Sequence, residues 1–141
     1  MNPTLSKWGF VLIDDDPISN MICNKLIEKI NPQIPIEAFT DPVKGLRHIE
    51  QLPDNPDIES YVLLLDINMP IMNGWQFVDR FAGLSADVQR KFRIYILSSS
   101  VDKHDISKAQ NNPLIHDYLI KPLSPQCIHE ILSSISRPED N

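Results

Sequence analysis

Four short apolar runs, GFVLI, YVLLL, RIYIL and HDYLI, alternate along this chain with segments whose apolar residues recur at helical spacing. Runs of this length read as buried strands, and strands separated by helices imply right-handed crossovers and a parallel sheet covered on both faces. Each run ends in a polar residue: Asp14, Asp15 and Asp16 after the first, Asp66 after the second, Ser98 after the third and Lys121 after the fourth. In an open parallel sheet, chemistry collects outside the carboxyl ends of the strands. Several carboxylates, a hydroxyl and an amine therefore meet at one edge.

The intervening segments complete a pattern of βα repeated five times. Ile18, Met21, Ile22, Leu26 and Ile30 fall on one face of a first helix, and Val43, Leu46 and Ile49 mark a second. Trp75, Val78, Phe81 and Ala82 mark a third, and Ile128, Ile131, Leu132 and Ile135 the last. Pro17, Pro42 and Pro125 stand behind Asp16, Asp41 and Ser124, the arrangement of an N-cap followed by proline in the first helical position. Between Ser100 and Pro113 the stretch DKHDISKAQNN has only Ile106 and Ala109 as apolar residues, so a helix there should be exposed and comparatively mobile. Asp54 to Ser60 reads as a polar loop and Ser136 to Asn141 as a polar tail, which leaves one domain over residues 1–141 with its core at about 8–135.

An apolar fraction of 42% in 141 residues is enough for a core without disulfides or metal staples. Cys23 and Cys127 have no partner at metal-ligand spacing and read as free thiols. With a net charge of −6 and one short basic cluster at Arg90, Lys91 and Arg93, the chain has no footprint for gripping nucleic acid. No run approaches the roughly 20 apolar residues of a membrane span, and MNPTLSKW lacks the apolar stretch of a secretory signal. A cytoplasmic protein without membrane insertion is expected.

Gathering Asp14, Asp15 and Asp66 creates strong repulsion, since two unit charges about 4 Å apart cost on the order of 4 kcal/mol at an effective dielectric near 20. A cation or protons must compensate it. Carboxylate oxygens without histidine or thiolate favour Mg²⁺ or Mn²⁺, which keeps waters and accepts a phosphate oxygen. Asp66, at the end of the central run, can then act as a nucleophile toward a phosphoryl group, with Ser98 and Lys121 holding its oxygens.

With LIDDDP, LLLDINMPIMNG, ILSSS and YLIKPL in that order, the sequence resembles the receiver domain of two-component response regulators, in its single-domain form, over residues 8–135. The resemblance implies a doubly wound (βα)5 three-layer sandwich, flavodoxin-like, with a parallel five-stranded sheet of order 2-1-3-4-5. It implies that Asp66 is phosphorylated by a histidine kinase or phosphotransfer protein, and that Asp15, Asp66 and the main-chain carbonyl of Asn68 ligate Mg²⁺, with Asp14 assisting through water. It assigns Ser98 as the hydroxyl that swings toward the phosphate, Lys121 as its ion-pair partner and Tyr118 as the aromatic switch. Asn68 and Ser100 occupy the flanking positions that influence phosphate lifetime. No effector domain is expected after the last helix, and the output is expected to be docking to a downstream protein target.

Simpler roles compete at several of these positions. Asp16 is better placed to cap the first helix than to bind metal, Ser99 and Ser100 suit local hydrogen bonds, and Pro70 and Gly74 suit a turn. His48, His104, His116 and His129 lie on polar stretches and read as solvated surface residues. A phosphohydrolase of the haloacid dehalogenase type needs a second aspartate where this chain has Asn68, and no cap domain is visible. A flavodoxin-like cofactor site needs main-chain amides and small residues in place of three aspartates. A pseudo-receiver used only for docking is the further alternative.

Overall fold

Val11 and Ile13 point to one side of the first strand while Phe10 and Leu12 point to the other, and all four are buried. The same alternation recurs in the next two central strands. The computed structural model describes residues 8–52 and 58–136. Its elements are β1 (Trp8–Ile13), α1 (Pro17–Ile30), β2 (Ile36–Phe39), α2 (Pro42–Glu50), β3 (Ser60–Leu65), α3 (Gly74–Phe81), α4 (Ala86–Arg90), β4 (Phe92–Ser98), α5 (Lys103–Gln110), β5 (Ile115–Ile120) and α6 (Pro125–Ser136). The strands form one parallel sheet in the order β2-β1-β3-β4-β5, as the repeat and the resemblance imply.

The sheet divides the core into two layers. On one side Val11, Ile13, Leu63, Leu65, Ile94 and Ile96 pack under Leu46 and Ile49 of α2, Phe77, Val78 and Phe81 of α3, and Ala109 of α5. On the other, Phe10, Leu12, Val62, Leu64, Tyr95 and Leu97 pack under Cys23 and Ile27 of α1 and Ile128, Ile131, Leu132 and Ile135 of α6. Both faces are covered because successive apolar residues in the middle of each central strand point to opposite sides, and only a sandwiched sheet keeps both sets of side chains from water.

The helix starts follow the caps expected. Asp16 accepts from the N–H of Ile18, Asp41 from those of Val43 and Lys44, and Ser124 from that of Cys127, each ahead of a proline at the first helical position. Both cysteines are free. The expected loop from Asp54 to Ser60 lies largely outside the described residues, although Ser60 opens β3, and of the expected tail only Ser136, the last residue of α6, is described. No helix among the described residues is long and apolar enough to cross a membrane.

Two features differ from expectation. The buried face of α1 is Asn20, Cys23 and Ile27, with Leu26 and Ile30 partly covered, while Ile18, Met21 and Ile22 are exposed. The helix is turned so that the Asn20 amide donates to the carbonyls of Asp14 and Phe39, both at 3.1 Å; the Phe39 carbonyl also accepts from the Asp14 N–H at 3.1 Å, so one buried amide ties the end of β2 to the residue that follows β1. The short α4 was not foreseen. Ser85 caps it, and the Gln89 amide holds the carbonyls of Ala82 and Leu84 at 3.0 and 2.8 Å, so hydrogen bonds rather than an apolar stripe define it.

Gly74 fixes how closely α3 approaches the chain after β3. A Cβ there would lie 2.7 Å from Ile67 Cα and 2.9 Å from the Asp66 carbonyl oxygen, contacts with backbone that cannot swing aside. Gly74→Ala is therefore expected to lower the unfolding free energy by about 1–3 kcal/mol, the usual cost of overpacking, as read from the urea midpoint.

Candidate functional site

Register brings the four polar strand ends together. Ile13 lies opposite both Phe39 and Leu65, Leu65 lies opposite Ile96, and Ser98 lies opposite Ile120. Asp14 and Asp66 therefore emerge side by side, Ser98 follows one strand over, and Lys121 leaves the edge strand with its N–H donating to the Ser98 carbonyl at 2.9 Å. The Lys121–Pro122 peptide bond is cis.

Asp14 is almost wholly buried, and both its carboxylate oxygens are engaged: Oδ1 accepts from the Asp16 N–H at 3.0 Å and Oδ2 from Lys121 Nζ at 2.7 Å. Lys121 Nζ also lies 3.9 Å from Asp66 Oδ1, which accepts from the Asn68 N–H at 3.3 Å. Asp15 is the most open of the three acidic residues. Oxygens of Asp14, Asp15 and Asp66 all lie within 4.8 Å of one another. These are hard donors with no histidine or cysteine among them, and they fit a small divalent cation of the Mg²⁺ class.

Burial, followed by the charge on Asp14, pushes the Asp66 carboxyl up to about 6, against the pull of Lys121 and the Asn68 N–H. Burial by itself would lower Lys121, but the hydrogen bond to Asp14 and the charges of Asp14 and Asp66 outweigh it, so the ammonium ends above its ordinary value. The site is thus short of positive charge, with Lys121 spread between two carboxylates.

Ser98 is completely buried, and its Oγ accepts from the Ser100 N–H at 3.0 Å. Tyr118 is half-buried, and its hydroxyl donates to the Ser100 carbonyl at 2.9 Å. Asp16 turns to its capping role and stands outside the carboxylate group. No histidine belongs to that group, though His48 is more engaged than a solvated residue: its Nε2 lies 2.7 Å from Glu37 Oε2 and its ring lies against Phe39. Asn20, which supports the main chain of Asp14, escaped the sequence reading. A polar residue one position from the expected apolar face carries no periodic signal.

The raised Asp66 carboxyl gives stability a definite slope with pH. The folded protein holds this proton more tightly than an ordinary aspartate at 3.8, so the stabilisation is complete below that value and is lost as pH rises through about 6. Asp66→Asn has no such proton to lose. Its gain in unfolding free energy over wild type should grow steadily from about pH 4 to about pH 7, as measured by urea denaturation across that range in the absence of divalent metal.

Comparison with known proteins agrees with this geometry. The family model for the response regulator receiver domain matches residues 10–133. An uncharacterised response regulatory protein of Vibrio cholerae is 32% identical over 88% of this chain and 42% of its own length. A cyclic di-GMP phosphodiesterase response regulator of Xanthomonas campestris is 31% identical over 84% of this chain and 29% of its own. The chain thus spans less than half the length of these curated relatives. Among solved structures, a response regulator receiver protein of Dyadobacter fermentans superposes with a TM-score of 0.80 at 29% identity, over 91% of this chain and 97% of that one. A two-component response regulator of Cytophaga hutchinsonii gives 0.77 at 26% identity, over 92% and 97%. A five-stranded sheet of this order, with acidic, hydroxyl and amine side chains at its carboxyl edge and a family match over nearly all of its length, makes the chain a member of the response regulator receiver domain family.

Proposed function

We propose that Asp66 is the residue that accepts the phosphoryl group, from a histidine on a kinase or phosphotransfer protein, with Lys121 and Ser98 gripping the phosphoryl oxygens and Tyr118 following Ser98. The observation that carries this reading is the setting of Asp66: it is 5% exposed, follows the central strand, and has oxygens of Asp14 and Asp15 within 4.8 Å and Lys121 Nζ at 3.9 Å. Asp15, Asp66 and the main-chain carbonyl of Asn68 would hold Mg²⁺ or Mn²⁺, with Asp14 assisting through water. The metal supplies charge neutralisation between Asp66 and the incoming phosphoryl group.

In the transfer, a carboxylate oxygen of Asp66 bonds to phosphorus as the P–N bond to the donor imidazole breaks, and the imidazole nitrogen keeps the bonding pair. With its carboxyl at about 6, Asp66 is mostly ionised at neutral pH and available as nucleophile. Lys121 exchanges part of its contact with Asp14 for a phosphoryl oxygen. The Ser98 hydroxyl accepts from Ser100 and so has its one proton free to donate. No external substrate is turned over: the product is the modified protein, until water hydrolyses the acyl phosphate.

The rim of the site supports a protein as donor. Ile18 is 61% exposed, Ile71 77% and Val101 70%, and Met21, Ile22 and Ile120 are exposed as well. Ile18, Met21, Ile22, Ile71 and Val101 stand within a few residues after the polar strand ends and Ile120 directly before Lys121, and exposed apolar side chains around a site mark contact surfaces for other proteins. The surface made by α5, β5 and α6 is the part that a downstream target would read, since Tyr118 lies in β5 and the loop after Ser98 leads into α5. Donors charged by ATP place the exchange in the cytoplasm.

Incubation with acetyl phosphate and Mg²⁺ should add one phosphoryl group by intact mass, and neither Asp66→Asn nor wild type in EDTA should gain it; labelling of Asp66→Asn would refute the assignment. Met21→Asp should slow transfer from a phosphotransfer protein by about tenfold or more, as expected when a contact residue worth over 1 kcal/mol is lost, while labelling by acetyl phosphate stays at the wild-type rate.

A further inference from the structure

Ser100 joins three parts of the molecule through four hydrogen bonds. Its N–H donates to Ser98 Oγ at 3.0 Å and its carbonyl accepts from the Tyr118 hydroxyl at 2.9 Å. Its own hydroxyl donates to Asp105 Oδ2 at 3.1 Å and accepts from the Asp102 N–H at 3.2 Å. The last two bonds lie in the first turn of α5, where Asp102 is the N-cap, accepting from the His104 N–H at 2.8 Å, and Asp105 is the third helical residue.

In a capping box, the side chain at the third helical position reaches back to the N–H of the cap residue. Here the Ser100 hydroxyl stands between the two. The cap residue and the third helical residue are thus linked through a residue outside the helix, and that residue is bonded at its other end to Ser98. Little else secures α5: Ala109 is its one buried side chain among the described residues, and a further tie is Lys108, whose Nζ lies 5.0 Å from the centre of the Trp75 ring in α3. A helix with so little apolar burial depends heavily on its cap.

We infer that Ser100 is the positioning residue that carries a movement of Ser98 into α5 and Tyr118, through the bonds its hydroxyl makes to the cap residue Asp102 and to Asp105 in the first turn of α5. The inference rests on the reading of Asp66 as phosphoacceptor. When Ser98 turns its Oγ toward a group on Asp66, the acceptor of the Ser100 N–H changes place. A shift of Ser100 then moves the acceptor of the Tyr118 hydroxyl and the cap of α5 together.

Hydrogen exchange of the amides in residues 103–110, measured on the full chain with and without beryllofluoride and Mg²⁺, tests this, with beryllofluoride binding followed separately by fluorine NMR. In wild type, beryllofluoride should change exchange in α5 by about fivefold, the effect of roughly one net hydrogen bond. In Ser100→Ala, and in Asp105→Ala, which removes the same bond from the helix side, exchange should be faster without beryllofluoride and unmoved by it. Ser100→Thr should restore the response. Lys108→Gln should quicken exchange yet keep the response, and loss of the response there too would show that any loosening of α5 abolishes it and would overturn a specific role for Ser100. A wild-type response in Ser100→Ala, or a wild type that binds beryllofluoride without any response in α5, would equally overturn the coupling. A wild type that binds no beryllofluoride would instead remove the reading of Asp66, and the coupling with it.

Discussion

Lys121 follows the last strand and meets Asp14, which follows the first, at 2.7 Å across two intervening strands of the sheet. Most of the site depends on that contact. Three carboxylates share a few ångströms, two of them buried, and the ammonium paired with them is that of Lys121, at 2.7 Å from Asp14 and 3.9 Å from Asp66. A single charge cannot balance three, so burial together with the charge left on Asp14 raises the Asp66 carboxyl, and the cluster suits a divalent ion. The fold carries this imbalance because the site sits at the sheet's edge, and the apolar layers beneath it are continuous.

Those layers also explain the precision of the arrangement. Alternate residues of β1, β3 and β4 enter different cores, so a slip of one residue would exchange the two sets and also turn Asp14, Asp66 or Ser98 away from their neighbours. Packing and chemistry are thus fixed by the same register. Asn20 reinforces it by bonding the carbonyls of Asp14, just after β1, and Phe39, at the end of β2, with one buried amide.

The other side of the molecule is held less tightly. α5 covers its part of the sheet with one buried alanine, and its first turn is completed by Ser100. Light burial makes an element easy to displace, and a hydrogen-bonded hub beside the carboxylate cluster gives that displacement a cause. Firm core strands with a lightly held helix next to the reactive edge suit a domain that signals by a change of surface.

The order of strands and helices, the helix starts at Pro17, Pro42 and Pro125, and the polar residues that end the strands were all legible in the amino-acid sequence, because each depends on local spacing or on a cap a few residues away. The chemistry of the edge followed from residue types once a parallel sheet was implied. Tertiary structure alone decided which way α1 faces the sheet, exposing Ile18, Met21 and Ile22 and burying Asn20, since helical periodicity orders residues around an axis without saying how the axis is turned. It also decided the short α4 and the bridge from Ser98 through Ser100 to Asp105 and Tyr118. These rest on hydrogen bonds whose partners are chosen by how separate segments meet, and no apolar pattern encodes that meeting.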